Sequence, residues 1–316
     1  MKKVVLILCM VVTLAVAAGL IFIMVMGING TSVLPTPIQN WLDKVEVNVD
    51  FGGNNVVVQE ERVYTDELQK LILNTSSHSV DVRATNDKDI TIRLYAPENS
   101  DDRFTVNNND GTCRVDTGGR NFTISIGIFF FERRVEIDIP RDWTGDVEFS
   151  TQSGSMKLND DFIWDNVTLH TSSGSLTADG SLTANSFTSE TTSGSVKLTE
   201  VTAETAYIKA TSGSVKIGEL TAATTLHCTS GSLKVDKFTP TGDSSIKSTS
   251  GSVNVAIPDS VSFNLDVSTT SGSISTGFDH KFDSDRKNHA TAIVGGEPRL
   301  KLDVNVHSGS VKIAKY

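Results

Sequence analysis

Three lysines are the residues best placed by type and spacing to do chemistry. Lys197, Lys216 and Lys234 each stand three residues after the glycine of a Ser-Gly-Ser triplet, as do Lys157 and Lys312. Amines held at one position of a repeating unit line up as a cationic stripe, suited to an anionic polymer or phospholipid head groups. The competing reading is a charged sheet surface that keeps the protein soluble, and the formal net charge of −10 favours it. Carboxylates come in local pairs, Asp101 with Asp102, Asp160 with Asp161 and Asp283 with Asp285, all in turn-like surroundings. None recurs at a spacing that sets two of them across a glycosidic bond. His170 and His227 share one outward column, but three units separate them, roughly 14 Å, too far to share a metal. Cys9 lies in an apolar N-terminal run, and Cys113 and Cys228 show no Cys/His metal spacing. Cys228 falls in a column of small residues with Thr191, Ala210, Ser248 and Thr269 and reads as a packed thiol. Cys113 is about six units away, roughly 29 Å, which excludes a disulfide between them. No G-x-S-x-G, P-loop, H-E-x-x-H or glycine-aspartate calcium repeat occurs. The sequence therefore assigns no catalytic residue, no metal ligand and no cofactor.

What would position these side chains is a repeat. Ser-Gly-Ser occurs eight times, with its glycine at Gly154, Gly174, Gly194, Gly213, Gly231, Gly251, Gly272 and Gly309. The steps are 20, 20, 19, 18, 20, 21 and 37 residues, and the last reads as two units, one lacking the triplet. Two residues after the glycine stand Met156, Leu176, Val196, Val215, Leu233, Val253, Ile274 and Val311, all apolar. Apolar positions alternate on both sides of the glycine, the mark of strands with one buried face. The phase slips by one residue at the triplet, so a corner is needed, with glycine supplying φ > 0 and serines bonding the bend. One unit cannot bury its own apolar face, so units must stack. The predicted fold class is all-β: a β-solenoid, or β-helix, of about 20-residue rungs.

The frame reaches back to Leu71, Leu73 and Thr75, then Ser77-His78-Ser79, Val80 and Val82, with His78 in the glycine slot. His accepts left-handed backbone better than most side chains, which makes His78 a turn residue. The 76 residues from His78 to Gly154 are about four periods. That predicts on the order of 13 rungs and a rod of about 60 Å. Residues 97–119 read as irregular rungs or a protruding loop. Residues 122–139 alternate as strands around Phe129-Phe130-Phe131, of which at least one must face a cap, a partner or the membrane. Solenoid ends need caps, and none is evident after the last rung at Tyr316.

Ahead of the repeat, Lys2 and Lys3 precede residues 4–26, a run of 23 without charge. About 20 residues of helix cross the hydrocarbon core, and the flanking charge puts the N-terminus inside. Ala15-Val16-Ala17 resembles a signal-peptidase site, but the apolar run continues past it, which favours an uncleaved signal-anchor. The expected organisation is a transmembrane signal-anchor over 1–28, a stalk over 29–44 containing Pro35 and Pro37, and a β-solenoid over 45–316. Its first part, 45–145, is less regular than 146–316. This predicts a single-pass protein of the cell membrane with its C-terminal domain extracellular. A hydrophobic content of 38% supports folding, while 7% aromatics and 24 glycines suit thin sheet structure. The acidic balance excludes a general nucleic-acid binder.

Arg134-Val135-Glu136-Ile137-Asp138-Ile139-Pro140, followed by residues 147–155 ending in Ser153-Gly154-Ser155, resembles the putative-adhesin family of bacterial β-strand-repeat proteins of unknown function. Val253-Asn254-Val255-Ala256-Ile257-Pro258 repeats that frame, and Gly295-Gly296 with Ser308-Gly309-Ser310 looks like the family's C-terminal end. The resemblance covers residues 45–316. It implies a surface or envelope protein behind a single span, with no established catalytic residues and, in some members, a tie to envelope stress. The expected function is that of a non-catalytic, adhesin-like binding or structural module, not an enzyme. Its expected partners are the membrane, through one span, and an envelope polymer, surface glycan or membrane protein. The alternative is a regulatory component of the envelope-stress response acting through a membrane partner. A polysaccharide-degrading enzyme ranks last.

Overall fold

The computed structural model describes residues 56–97, 102–117, 133–283 and 287–316. All of them belong to one compact unit, Gly53–Arg120 with Phe129–Tyr316. The predicted span and stalk, Asp101, Asp285 and Phe129-Phe130-Phe131 lie outside the described residues.

Among the described residues every regular element is a β-strand. Equivalent positions of successive units sit side by side in parallel register, as a repeat that stacks requires. Before the corner the register runs Val147, Val167, Phe187, Ala206, Thr224. After it the register runs Met156, Leu176, Val196, Val215, Leu233. A third, shorter side stacks Phe162, Leu182, Val201, Leu220 and Phe238. These three inward rows are buried and form one continuous core. The unequal steps of 20, 19 and 18 residues are absorbed away from the corner. Register shifts at Ala178/Ser181 and at Thr202/Thr205 each remove one residue between neighbouring rungs.

Spatial order departs from chain order at both ends. The His78 unit lies directly on the Gly154 unit, with Leu71 beside Val147 and Val80 beside Met156. The 75 residues between His78 and Gly154 are therefore not four rungs. They place Thr112–Thr117 outside Lys70–Thr75 and Arg134–Pro140 beside Ser79–Thr85, both parallel. Phe104–Asn109 and Ile90–Pro97 then add antiparallel, and Val56–Val63 adds antiparallel to Ile90–Pro97. At the other end the last unit, Leu300–Ser308 with Val311–Lys315, enters between the Gly251 and Gly272 units. Val304 lies between Ile246 and Val267, and Val311 between Val253 and Ile274. The 37-residue step is not a rung lacking the triplet. It holds His289–Val294, which pairs antiparallel with Phe263–Ser271.

The corner column therefore runs His78, Gly154, Gly174, Gly194, Gly213, Gly231, Gly251, Gly309, Gly272. Nine corners at the strand spacing span roughly 38 Å, which corrects the predicted 13 rungs and 60 Å. The expectation of an uncapped end is corrected too. Antiparallel strands close both ends, and Phe278 packs edge-on against Phe263 at 5.2 Å. Units with the same column pattern offer the same surface to a neighbour, so periodicity reports that they stack and not in what order.

Candidate functional site

The corner is built by close approach. A Cβ added to any of the eight corner glycines would fall 1.7–2.2 Å from the carbonyl oxygen of the adjacent corner residue. Left-handed backbone, expected at every corner, occurs at Gly231, Gly251 and Gly309, with φ of 147°, 144° and 145°. The other five corner glycines lie outside that region, so there the neighbouring rung alone demands glycine. Every added Cβ would point toward the His78 end, which leaves room for a side chain only at that end of the column. His78 occupies it without left-handed backbone; among the described residues the non-glycine residues with left-handed backbone are Asp110 and Lys287. Its imidazole is fully buried, with Nδ1 3.3 Å from Thr117 Oγ1 and Nε2 3.8 Å from an Asp102 oxygen that also pairs with Arg133 at 3.1 Å.

A buried hydroxyl three residues before each of several corners fastens it. The backbone N–H of Gly154, Gly174 and Gly194 donates to Thr151, Thr171 and Thr191 at 3.0–3.1 Å. The Cys228 thiol, in the same column, donates to the Gly213 carbonyl at 3.4 Å. Sequence reading took this column only as small residues; the Thr-x-x-Gly spacing was its signal. On the outside of the corner a serine ladder forms, in which the N–H of Ser175, Ser195, Ser214 and Ser232 donates to the preceding serine's Oγ. Cys113 and Cys228 are both free and buried. Burial, with Glu61 adding, pushes the Cys113 thiol up to about 11, and burial also raises that of Cys228.

The lysines three after the corner do line up. Lys197, Lys216 and Lys234 stand directly side by side, exposed, on the face after the corner. Their charge is largely answered from within the chain. Asp179 sits 3.2 Å from Lys157 and 4.0 Å from Lys197, and Asp236 is 2.5 Å from Lys234. Lys216 has no ion-pair partner among the described residues. On the face before the corner a second row, of two lysines and a histidine, appears that the sequence reading did not single out. Lys209, His227 and Lys247 are adjacent in register, with Tyr207, Thr225 and Ser245 forming the row beside them. His170 lies three strands from His227, beyond Glu190 and Lys209, as its column predicts.

The carboxylates pair with nearby groups instead of with one another. Asp160 accepts from the Ala84 N–H at 2.9 Å. Asp161 accepts from the Ser181 N–H and hydroxyl, which hold its carboxyl below the usual range. Asp283 meets His289 at 2.7 Å. Among the described residues no group of three or more His, Cys, Asp or Glu is placed to hold a metal. A shallow groove of about 470 Å³ runs along the short third side, lined by Thr183, Ala184, Thr202, Ala203, Glu204, Thr221 and Thr241.

No curated protein matches the chain. It is similar to a putative lipid binding protein from Parabacteroides distasonis at 11% identity, covering 86% of this chain and 100% of that one, with a TM-score of 0.44. It is similar to a putative adhesin from Parabacteroides merdae at 11% identity, covering 85% and 99%, with a TM-score of 0.41. A putative cell adhesion protein from Clostridium sporogenes aligns at 10% identity over 83% and 100%, with a TM-score of 0.30. A family model described as Toastrack DUF4097 matches residues 68–314. That span begins just before the strand leading to His78 and ends in the strand after Gly309, so by this match the chain belongs to the Toastrack DUF4097 family.

Proposed function

We propose that the chain is a non-catalytic binding module of the bacterial cell surface, held at the membrane by residues 4–26 with the β-repeat outside. The observation that supports this reading is the in-register presentation of outward side chains on successive rungs, as in Lys209, His227 and Lys247. Strands fixed on both sides by backbone ladders present a rigid, flat surface. A flat surface does not enclose a small substrate as an active-site cleft does. Each exposed charge contributes little alone, so binding gains from a ligand that repeats along the stack as the rungs do. An envelope polymer or surface glycan has that form.

The test is cosedimentation of the full chain, in detergent micelles, with isolated cell walls, membrane vesicles and surface glycans. Saturable binding to one of these supports the module and names its ligand class. Binding to none overturns it and directs the search to a membrane-protein partner, as the envelope-stress reading expects. Release of soluble product from a glycan would overturn it in favour of an enzyme.

A further inference from the structure

We propose that the face bearing Tyr207, Lys209, His227 and Lys247 binds a linear acidic polysaccharide laid along the stack axis. The proposal rests on the binding-module reading and specifies its ligand and its face. Lys209, His227 and Lys247 stand opposite one another on three neighbouring strands. Lys209 and Lys247 lie two strands apart, with His227 between them. On the other face Asp179 pairs with Lys197 and Asp236 with Lys234, on either side of Lys216. Here the one acid in the row is Glu190, directly opposite Lys209 on the next strand and 3.8 Å from His170, and Lys209 and Lys247 make no ion pair among the described residues. In a chain of net charge −10 these are cations left for an outside anion.

The surroundings decide what kind of anion. The row is one side chain wide and runs across the strands, ending at Glu190 on one side and Asn305 on the other. It therefore follows a linear polymer and not a plane of lipid head groups. Tyr207, beside the row, is 36% exposed and is the one exposed large hydrophobic side chain on these three strands. An interfacial surface needs several such side chains to enter the bilayer. A single ring flanked by hydroxyls instead suits a sugar, whose apolar face stacks on the tyrosine. Thr225 and Ser245 lie on one side of the cations, and Thr211, Thr229 and Thr249 on the other. The strand spacing of ~4.8 Å is close to the rise of one unit of an extended polysaccharide. Carboxylates on alternate units would then meet Lys209 and Lys247, with the unit between them over His227.

The experiment measures binding of polygalacturonate, with neutral dextran as control, to the full chain in phosphatidylcholine nanodiscs. Three proteins are compared: the parent chain, a Lys209→Gln/Lys247→Gln variant, and a Lys197→Gln/Lys216→Gln/Lys234→Gln variant. Circular dichroism first confirms that the variants, all at solvent-facing positions, keep the sheet. The expected result is salt-sensitive binding of polygalacturonate by the parent, loss of about tenfold in affinity in the first variant, and no change in the second. Loss confined to the second variant, or equal in both, overturns the assignment to this face while leaving the binding module standing. A parent chain that ignores polygalacturonate, or that prefers phosphatidylglycerol vesicles to it, overturns the acidic-polysaccharide ligand. The separate envelope cosedimentation then still decides whether the chain is a binding module at all.

Discussion

Substituting Gly213 by alanine tests the physical basis of the whole stack. The added methyl would lie 1.9 Å from the Gly194 oxygen and 2.6 Å from its carbon. Real Cβ contacts begin near 3.0 Å, so about 1 Å must be found between two rungs that are held at ~4.8 Å. Neither side can yield alone. The Gly213 N–H donates to Ser230 at 3.1 Å, Val215 donates to Ser232 at 2.9 Å, and Ser212 donates back to Thr192 at 2.7 Å. Overpacking of this kind costs roughly 1–3 kcal/mol, and each ladder bond lost adds about 0.5–1.5 kcal/mol. Gly213→Ala is therefore expected to lower the local opening free energy by about 3–5 kcal/mol, read by hydrogen exchange at Val196 and Val215. A stack of repeats opens unit by unit, so the local measurement is the proper one. Gly296 has nothing within 4 Å of an added Cβ, and Gly296→Ala is the control, expected within about 0.5 kcal/mol of the parent. Gly231 meets the same carbonyl contact and also has φ 147°, so Gly231→Ala should cost a further ~1–3 kcal/mol. If Gly213→Ala exchanges like Gly296→Ala while Gly231→Ala opens, backbone handedness and not close approach governs the corners, and the reasoning is refuted.

Two further outcomes follow from buried groups. Thr191→Val removes the acceptor of the buried Gly194 N–H while keeping the shape, and should cost about 1–3 kcal/mol; unchanged exchange at Gly194 would show that the hydroxyl does not hold the corner. For Cys113, the folded thiol sits up at about 11 against an ordinary 9.0, so the folded state keeps its proton where the unfolded chain has lost it. Stability from this group is then complete below about pH 9 and is lost as pH rises toward 11. Urea unfolding at pH 8 and pH 10.5 should show that loss in the parent and a smaller one in Cys113→Ala, and an equal loss in both would count against the assignment.

The repeat was legible because its physics is local. Period-two alternation around each glycine marks inward and outward residues within a single strand, and Met156, Leu176, Val196, Val215 and Leu233 do stack as that alternation requires. What was not legible depends on residues far apart in the chain. The need for glycine at Gly213 comes from Gly194, on the neighbouring rung, and local conformational preference points to φ > 0 instead. The insertion of the Gly309 unit between those of Gly251 and Gly272 leaves no trace, because all three carry the same columns. His78 was read as a turn because its slot matched, yet its side chain is tolerated because that slot ends the column. The Lys209, His227, Lys247 row escaped notice for a different reason. Its position also holds His170 and Glu190, so no residue type holds from one rung to the next there, whereas Lys197, Lys216 and Lys234 announce themselves.

That difference bears on where recognition can reside in such a scaffold. Inward columns are fixed by packing and the corner column by backbone contact, so neither can change residue type freely without loss of stability. Only the outward columns are free to vary from rung to rung. The column after the corner repeats lysine and supplies aspartates beside Lys157, Lys197 and Lys234. The column before the corner varies, and it sets Lys209 and Lys247, which make no ion pair among the described residues, near an exposed ring. Regularity thus marks the residues that serve the sheet itself. A run that breaks the pattern, stays in register and lacks a partner is the place where the sheet is prepared to meet something else.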